Sequence, residues 1–200
     1  MGSFDNRFRR KWQDYGGAHA TDAEHSFIDV FSKLFENTDY EVISQPTVFR
    51  NLYVTVELTE AELVAIYTPD EPIKKHGIQP DGAIRNKRTG KTIYVEIKRQ
   101  DGWVEGKSRS AGRGNAHERL CKYFTPGLLG KLREAGKISE PNLPFWIVFQ
   151  GDITRDPWRV REITYWFGKY KANYFFWRNT KQPLDLIDHF ESHIAPLLED

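Results

Sequence analysis

A single cysteine, Cys121, among 200 residues leaves no partner for a disulfide within the chain. It also excludes a zinc site built on several thiolates. No apolar run approaches the roughly 20 residues that a membrane-spanning helix needs. Met1-Gly2-Ser3-Phe4-Asp5 has no apolar stretch of the kind that directs export, so a soluble cytoplasmic protein is expected. Net charge is scarce too: 29 Lys plus Arg stand against 28 Asp plus Glu, for +1. A chain that coats nucleic acid indiscriminately carries a larger positive excess. Any contact with nucleic acid must therefore be a focused site. Repeats and low-complexity stretches are absent as well. What is plentiful is aromatic: 6 Trp, 9 Tyr and 13 Phe, within an apolar content of 39%. That supply excludes a disordered chain and suits one domain over residues 1–200. Residues 1–20 form an expected N-terminal arm. Its basic cluster Arg7 to Lys11 reads as solvated or as contacting phosphate.

The patterning predicts a mixed α/β fold, a sheet of about five strands with helices around it. Thr21 and Glu24 have the spacing of a capping box, and Phe27, Val30, Phe31, Leu34 and Phe35 recur at helical spacing behind them. Tyr40–Ser44 and Leu52–Leu58 alternate like strands. Thr59 and Glu62 repeat the capping box before a short helix through Ile66. Ile78–Arg85 and Thr92–Lys98 predict an antiparallel pair, with Gly90 allowing positive φ in the turn between them. Residues 100–113 are polar and Gly-rich, a long loop. Helices are expected at Asn115–Phe124 and Leu128–Ala135, separated by Pro126-Gly127. Phe145–Phe149 reads as a central strand, and Asp156-Pro157 as a capped helix start. Asn173–Trp177 is expected as a core strand with alternating burial; base stacking by its aromatics is the alternative. Leu184–Leu198 closes the chain as a helix frayed at Pro196.

The sharpest feature is Pro80-Asp81, then fourteen residues, then Glu96-Ile97-Lys98. Glu96 and Lys98 are two apart on one proposed strand, so they share a face. Asp81 on the other strand joins them. Two carboxylates form a hard oxygen pair suited to Mg²⁺, and the Ile97 carbonyl offers a further ligand. Lys98 is placed to orient water and to offset negative charge at phosphorus. That chemistry is metal-assisted phosphodiester hydrolysis. The plain alternative is an ordinary scatter of charges at strand ends. A second feature is Arg113-Gly114-Asn115-Ala116-His117-Glu118-Arg119, which follows the loop and opens a helix. Arg suits guanine O6/N7 and Asn suits adenine N6/N7 in a major groove. A simple capped helix is the alternative.

Together these segments resemble the EcoRI-like type II restriction endonucleases of the PD-(D/E)xK fold. The resemblance is strongest to the branch that cuts CAATTG. It is carried by the runs from Glu96 to Lys107 and from Ala111 to Arg119, by Leu143-Pro144-Phe145-Trp146 and by Gly151 to Pro157. It implies a prokaryotic, Mg²⁺-dependent homodimer acting on double-stranded DNA. Asp81 and Glu96 correspond to the metal-binding acids, with the Ile97 carbonyl, and Lys98 to the catalytic lysine. Gly114, Asn115, Ala116, His117, Glu118 and Arg119 fall in the DNA-reading segment. Of these, Asn115, Ala116, Glu118 and Arg119 match readers of the inner AATT, and Arg113 matches the reader of the outer pair. The implied cut leaves 5′-AATT overhangs. A nicking or repair nuclease of the same fold, or a silent DNA-binding protein, are the alternatives.

Glu24 either caps its helix or presents a further acid near the metal. His117 and Cys121, four apart, are expected as a solvent- or DNA-facing imidazole and a buried thiol rather than metal ligands. Trp103 in the loop is expected on a DNA-facing or intersubunit surface.

Overall fold

A computed structural model describes Phe8 and residues 27–66, 75–101 and 117–199. Helix α1 is Phe27–Leu34, strand β1 Tyr40–Ser44, α2 Glu60–Ala65, β2 Gly82–Asn86 and β3 Thr92–Arg99. A 3-10 helix, Glu118–Phe124, leads into α3, Pro126–Gly136, and then β4, Phe145–Gln150. After a 3-10 turn at Asp152–Arg155 come α4, Pro157–Phe167, and β5, Tyr174–Trp177. The last helix has three parts: α5 Leu184–His189, a π-helical turn Phe190–Ile194, and α6 Ala195–Glu199. Among the described residues no helix is long and apolar enough to cross a membrane.

The five strands form one sheet in chain order. β1, β2 and β3 are antiparallel, whereas β3, β4 and β5 run parallel. The switch has a simple cause. The 87–91 turn is short enough to reverse the chain: Gly90 takes φ 72° and the Asn86 carboxamide accepts from the Arg88 and Thr89 amides. The connections from β3 to β4 and from β4 to β5 each contain a helix, as parallel neighbours require.

Strand alternation divides the core in two. Ile93, Val95, Trp146, Val148 and Trp177 face α1 and the C-terminal helix. Tyr94, Phe145, Ile147 and Phe149 face α3, α4 and the 3-10 helix. β4 is buried on both faces, as its continuous apolar run predicts. Glu96 falls in the alternation on the second face, so the face that packs α3 and α4 also carries the acid.

Several local expectations match the fold. Phe27, Val30, Phe31 and Leu34 are the buried stripe of α1. Thr59 and Glu62 form both halves of a capping box. Asp156 caps α4 through the Trp158 and Arg159 amides, with Pro157 at the first position. The Thr21–Glu24 cap, Trp103 and most of the 100–113 loop lie outside the described residues.

Other expectations fail for identifiable reasons. Leu52–Leu58 is not a strand. Its backbone closes successive turns, such as Leu52 N–H to the Phe49 carbonyl and Val56 N–H to the Tyr53 carbonyl. Alternation gave it strand propensity, but no strand in the sheet pairs with it. β2 begins at Gly82, four residues later than Ile78. The Asn115–Phe124 helix is a 3-10 helix from Glu118 in its described part. Pro126 starts α3 instead of breaking a helix, because a first-turn residue needs no amide donor. Pro196 does not fray the last helix. The preceding turn widens instead, with Ala195 N–H donating to the Phe190 carbonyl five residues back. The wider turn relieves the contact of the proline ring with the Ser192 carbonyl. Residues 174–177 form an edge strand. Its side chains alternate between the faces, yet only Trp177 is fully buried. Finally, Phe8, inside the basic cluster, is buried edge-on against Phe35, Tyr40 and Phe190. A wholly solvated arm is thereby excluded at that residue.

His189 carries a prediction. Its ring stacks on Trp146 and touches Phe175, and its Nε2–H donates to the Ala172 carbonyl at 2.8 Å. Burial first, and the neighbouring His193 charge, depress its pKa to about 4 despite the opposing Ala172 hydrogen bond. The unfolded chain takes up this proton below about pH 6.5 while the folded chain refuses it until about pH 4. Stability present above pH 6.5 is therefore lost as pH falls to 4, by at most about 3 kcal/mol from this group. Chemical unfolding across that range should show a shallower acid loss in His189→Gln than in the parent. Identical slopes would contradict the assignment.

Candidate active site

Asp81 sits one residue before β2, not on it. The β2–β3 register pairs Gly82 with Val95, which brings Asp81 opposite Glu96. Pro80 has no amide to continue the ladder. The Asp81 carbonyl accepts from the Gln45 amide, and the Asp81 carboxylate accepts from the Ile97 amide at 2.7 Å. A side chain thus completes the end of the β2–β3 ladder. This anchors the carboxylate beside β3, where the sequence spacing places it.

Glu96 is 5% exposed, yet neither carboxylate oxygen lacks a partner. Lys98 Nζ hydrogen-bonds and ion-pairs with Oε1. The Tyr123 hydroxyl donates to Oε2 at 2.7 Å. An acid so buried persists only when its charge and lone pairs are met. Lys98 supplies the charge from the same strand face, two residues on. Asp81 is exposed as a residue, but its carboxyl end is desolvated beside these groups. Burial raises its pKa, the Ile97 amide works against that rise, and the Glu96 charge adds to it. Lys98 and Lys122 offset part of the repulsion. Burial and Glu96 push the Tyr123 phenol far above its ordinary range, so it remains a donor.

Asp81, Glu96 and Lys98 are therefore brought together, while the rest of the expected set divides. Glu24, Arg113, Gly114, Asn115 and Ala116 lie outside the described residues. Glu118 and Arg119 are exposed at the start of the 3-10 helix. His117 and Cys121 reverse their expected places: the imidazole is fully buried and the thiol exposed. His117 stacks on Trp166 at 5.5 Å and meets Glu162 through Nε2 at 3.1 Å, and Arg159 holds the same carboxylate at 2.8 Å. Burial, then Arg159, lowers its pKa. Four residues of periodicity cannot tell an imidazole packed on a neighbouring helix from one facing outward. The 3-10 helix is thus fastened at both ends, to α4 by His117 and to β3 by Tyr123. Sequence reasoning passed over Tyr123, which reads as an ordinary aromatic; the only hint was its place in a segment leading away from the Gly-rich loop.

Gly151 shapes the adjacent end of β4. It adopts φ 81°, and a Cβ there would lie 2.8 Å from the Gln100 carbonyl oxygen. Only glycine allows this approach, which seats the end of β3 before the chain leaves for the 102–116 segment.

No group of three or more His, Cys, Asp or Glu able to hold a metal occurs among the described residues. The donors present are two carboxylates whose charges repel. That set fits a cation which takes one or two protein carboxylates and fills its other positions with water or phosphate oxygen, as Mg²⁺ does. It does not fit a closed structural zinc site.

Comparison with known proteins agrees with this geometry. Residues 1–199 match the family model described as type II restriction enzyme MunI. The type II restriction enzyme MunI of Mycoplasma sp is 47% identical over 202 residues, covering 100% of both chains. A crystal structure of MunI restriction endonuclease in complex with cognate DNA superposes with a TM-score of 0.84 at 48% identity. That match covers 94% of this chain and 97% of the other.

The burial of the Asp81 carboxyl, with the Glu96 charge adding to it, has a measurable consequence without metal. Its folded pKa is raised, so the native state holds a proton that the unfolded chain has already lost. Stability from this group is greatest at low pH and falls as pH rises through the raised value. In EDTA, Asp81→Asn should therefore melt higher than the parent at pH 8, with the gap closing towards pH 4. A variant that melts lower at pH 8 would contradict this balance.

Proposed function

The chain belongs to the MunI family of type II restriction enzymes, and on that premise we propose that it hydrolyses double-stranded DNA at C^AATTG, leaving 5′-AATT overhangs. The observation that carries the reading is the convergence of Asp81, Glu96 and Lys98 at the end of the β2–β3 ladder. Asp81 and Glu96, with the Ile97 carbonyl, would hold Mg²⁺; Glu24 is a further candidate. When bound, the cation supplies positive charge against the phosphate oxygens. Lys98, already directed at Glu96, orients the attacking water and offsets charge gained at phosphorus.

Base reading falls to the segment from Arg113 to Arg119. Asn115, Ala116, Glu118 and Arg119 read the inner AATT, with Gly114 and His117 completing the segment. The buried imidazole gives His117 a supporting part, since it packs on α4 instead of facing outward. Arg113 reads the outer pair, for which a bidentate arginine–guanine contact suits C·G. Support for DNA as the partner comes from the crystal structure of MunI restriction endonuclease in complex with cognate DNA. A palindromic site calls for two copies of this chain related by a two-fold axis, each reading one half. The balanced net charge of +1 suits an enzyme whose specific affinity must exceed its general affinity.

Cleavage of a plasmid carrying one CAATTG site checks the assignment. Asp81→Ala and Glu96→Ala should each abolish cutting while the protein stays folded by circular dichroism. Parental activity in either would refute the metal assignment. Arg119→Ala should reduce discrimination at an inner base pair by about 1–3 kcal/mol. Unchanged relative rates on all singly altered sites would contradict its role as a reader.

A further inference from the structure

Tyr123 contacts neither surface nor solvent: its ring is 1% exposed and packs on Phe145 at 5.3 Å within the second core. A buried tyrosine needs a partner for its hydroxyl. Here the partner is Glu96 Oε2, at 2.7 Å, while Lys98 occupies Oε1. One donor on each oxygen fixes the plane of the carboxylate and leaves the remaining lone pairs for other ligands. The donor on Oε2 does not come from β3. It comes from the far end of the 3-10 helix, whose first residues are the exposed Glu118 and Arg119.

We propose that Tyr123 is a positioning residue, holding Glu96 in the orientation that binds the divalent cation from a helix that also carries base-reading side chains. The proposal rests on Glu96 being a metal ligand, as above. Without the hydroxyl, Oε2 loses the donor that Tyr123 supplies, and among the described residues Lys98 is left as the carboxylate's hydrogen-bond partner. The loss should fall on cation affinity and not on metal-free DNA binding, because Tyr123 lies behind Glu96 in the core. Loss of a hydrogen bond to a metal-ligating group weakens metal affinity or activity about 10–100-fold.

The test compares the parent, Tyr123→Phe, Glu96→Ala and the double variant. Ca²⁺ is titrated by calorimetry into each protein bound to a CAATTG duplex. Duplex affinity in EDTA and the melting temperature are measured beside it. Tyr123→Phe should bind Ca²⁺ about 10–100-fold more weakly while its EDTA duplex affinity stays within about threefold of the parent. The double variant should match Glu96→Ala. Parental Ca²⁺ affinity in Tyr123→Phe, with affinity lost in Glu96→Ala, would overturn the proposal and leave the metal reading standing. Parental affinity in Glu96→Ala would overturn the metal reading and the proposal with it. Equal weakening of metal-free duplex binding, or failure of Tyr123→Phe to fold, would make Tyr123 a structural residue and overturn the proposal.

Discussion

A carboxylate almost removed from water, Glu96, sets the terms for everything near it. Burial of an unpaired charge costs several kcal/mol, so the surroundings must supply donors to both oxygens. They do so from two directions: Lys98 from the same strand and Tyr123 from a helix that is distant along the chain. Asp81 then enters the same small volume, and burial first, with the Glu96 charge adding, raises its pKa. The site therefore holds more negative charge than its own lysine balances comfortably, a condition that a divalent cation relieves.

Only a particular architecture allows this. β3 must be paired on both edges, antiparallel to β2 so that Asp81 arrives opposite Glu96, and parallel to β4 so that a helical connection follows. That connection contains the Gly-rich segment, the 3-10 helix and α3. The 3-10 helix thus follows β3 in the chain and meets it in space where Tyr123 reaches Glu96. His117 and Tyr123 fasten the same short helix to α4 and to β3. Under the proposed reading, this two-point attachment would hold Glu118 and Arg119 on rigid elements.

Much of this was legible in the residues. The Asp81…Glu96-Ile97-Lys98 spacing foretold that these three side chains converge, because a two-residue period on a strand is strict. The 87–91 turn and the Asp156-Pro157 cap were local chemistry, and the structure keeps them. The misreadings share a cause. Leu52–Leu58 had strand propensity without a pairing strand. Pro196 had a helix-breaking ring but a π turn ahead of it. His117 had helical spacing, and the contacts of its imidazole are set by Trp166 and Glu162, more than forty residues away. Tyr123 was invisible for the same reason, since nothing in a lone aromatic tells which oxygen its hydroxyl will meet.

The central claim is that this site cuts one palindrome at one bond in each strand. Digesting a sequenced plasmid with the purified protein and Mg²⁺, then reading sequence through the ends, tests it most directly. Double-strand ends only at CAATTG, each with a 5′-AATT overhang, are expected. Ends at another AATT-centred sequence would contradict the outer-pair role of Arg113. Single-strand nicks, or binding to one sequence with no cleavage, would contradict the claim itself.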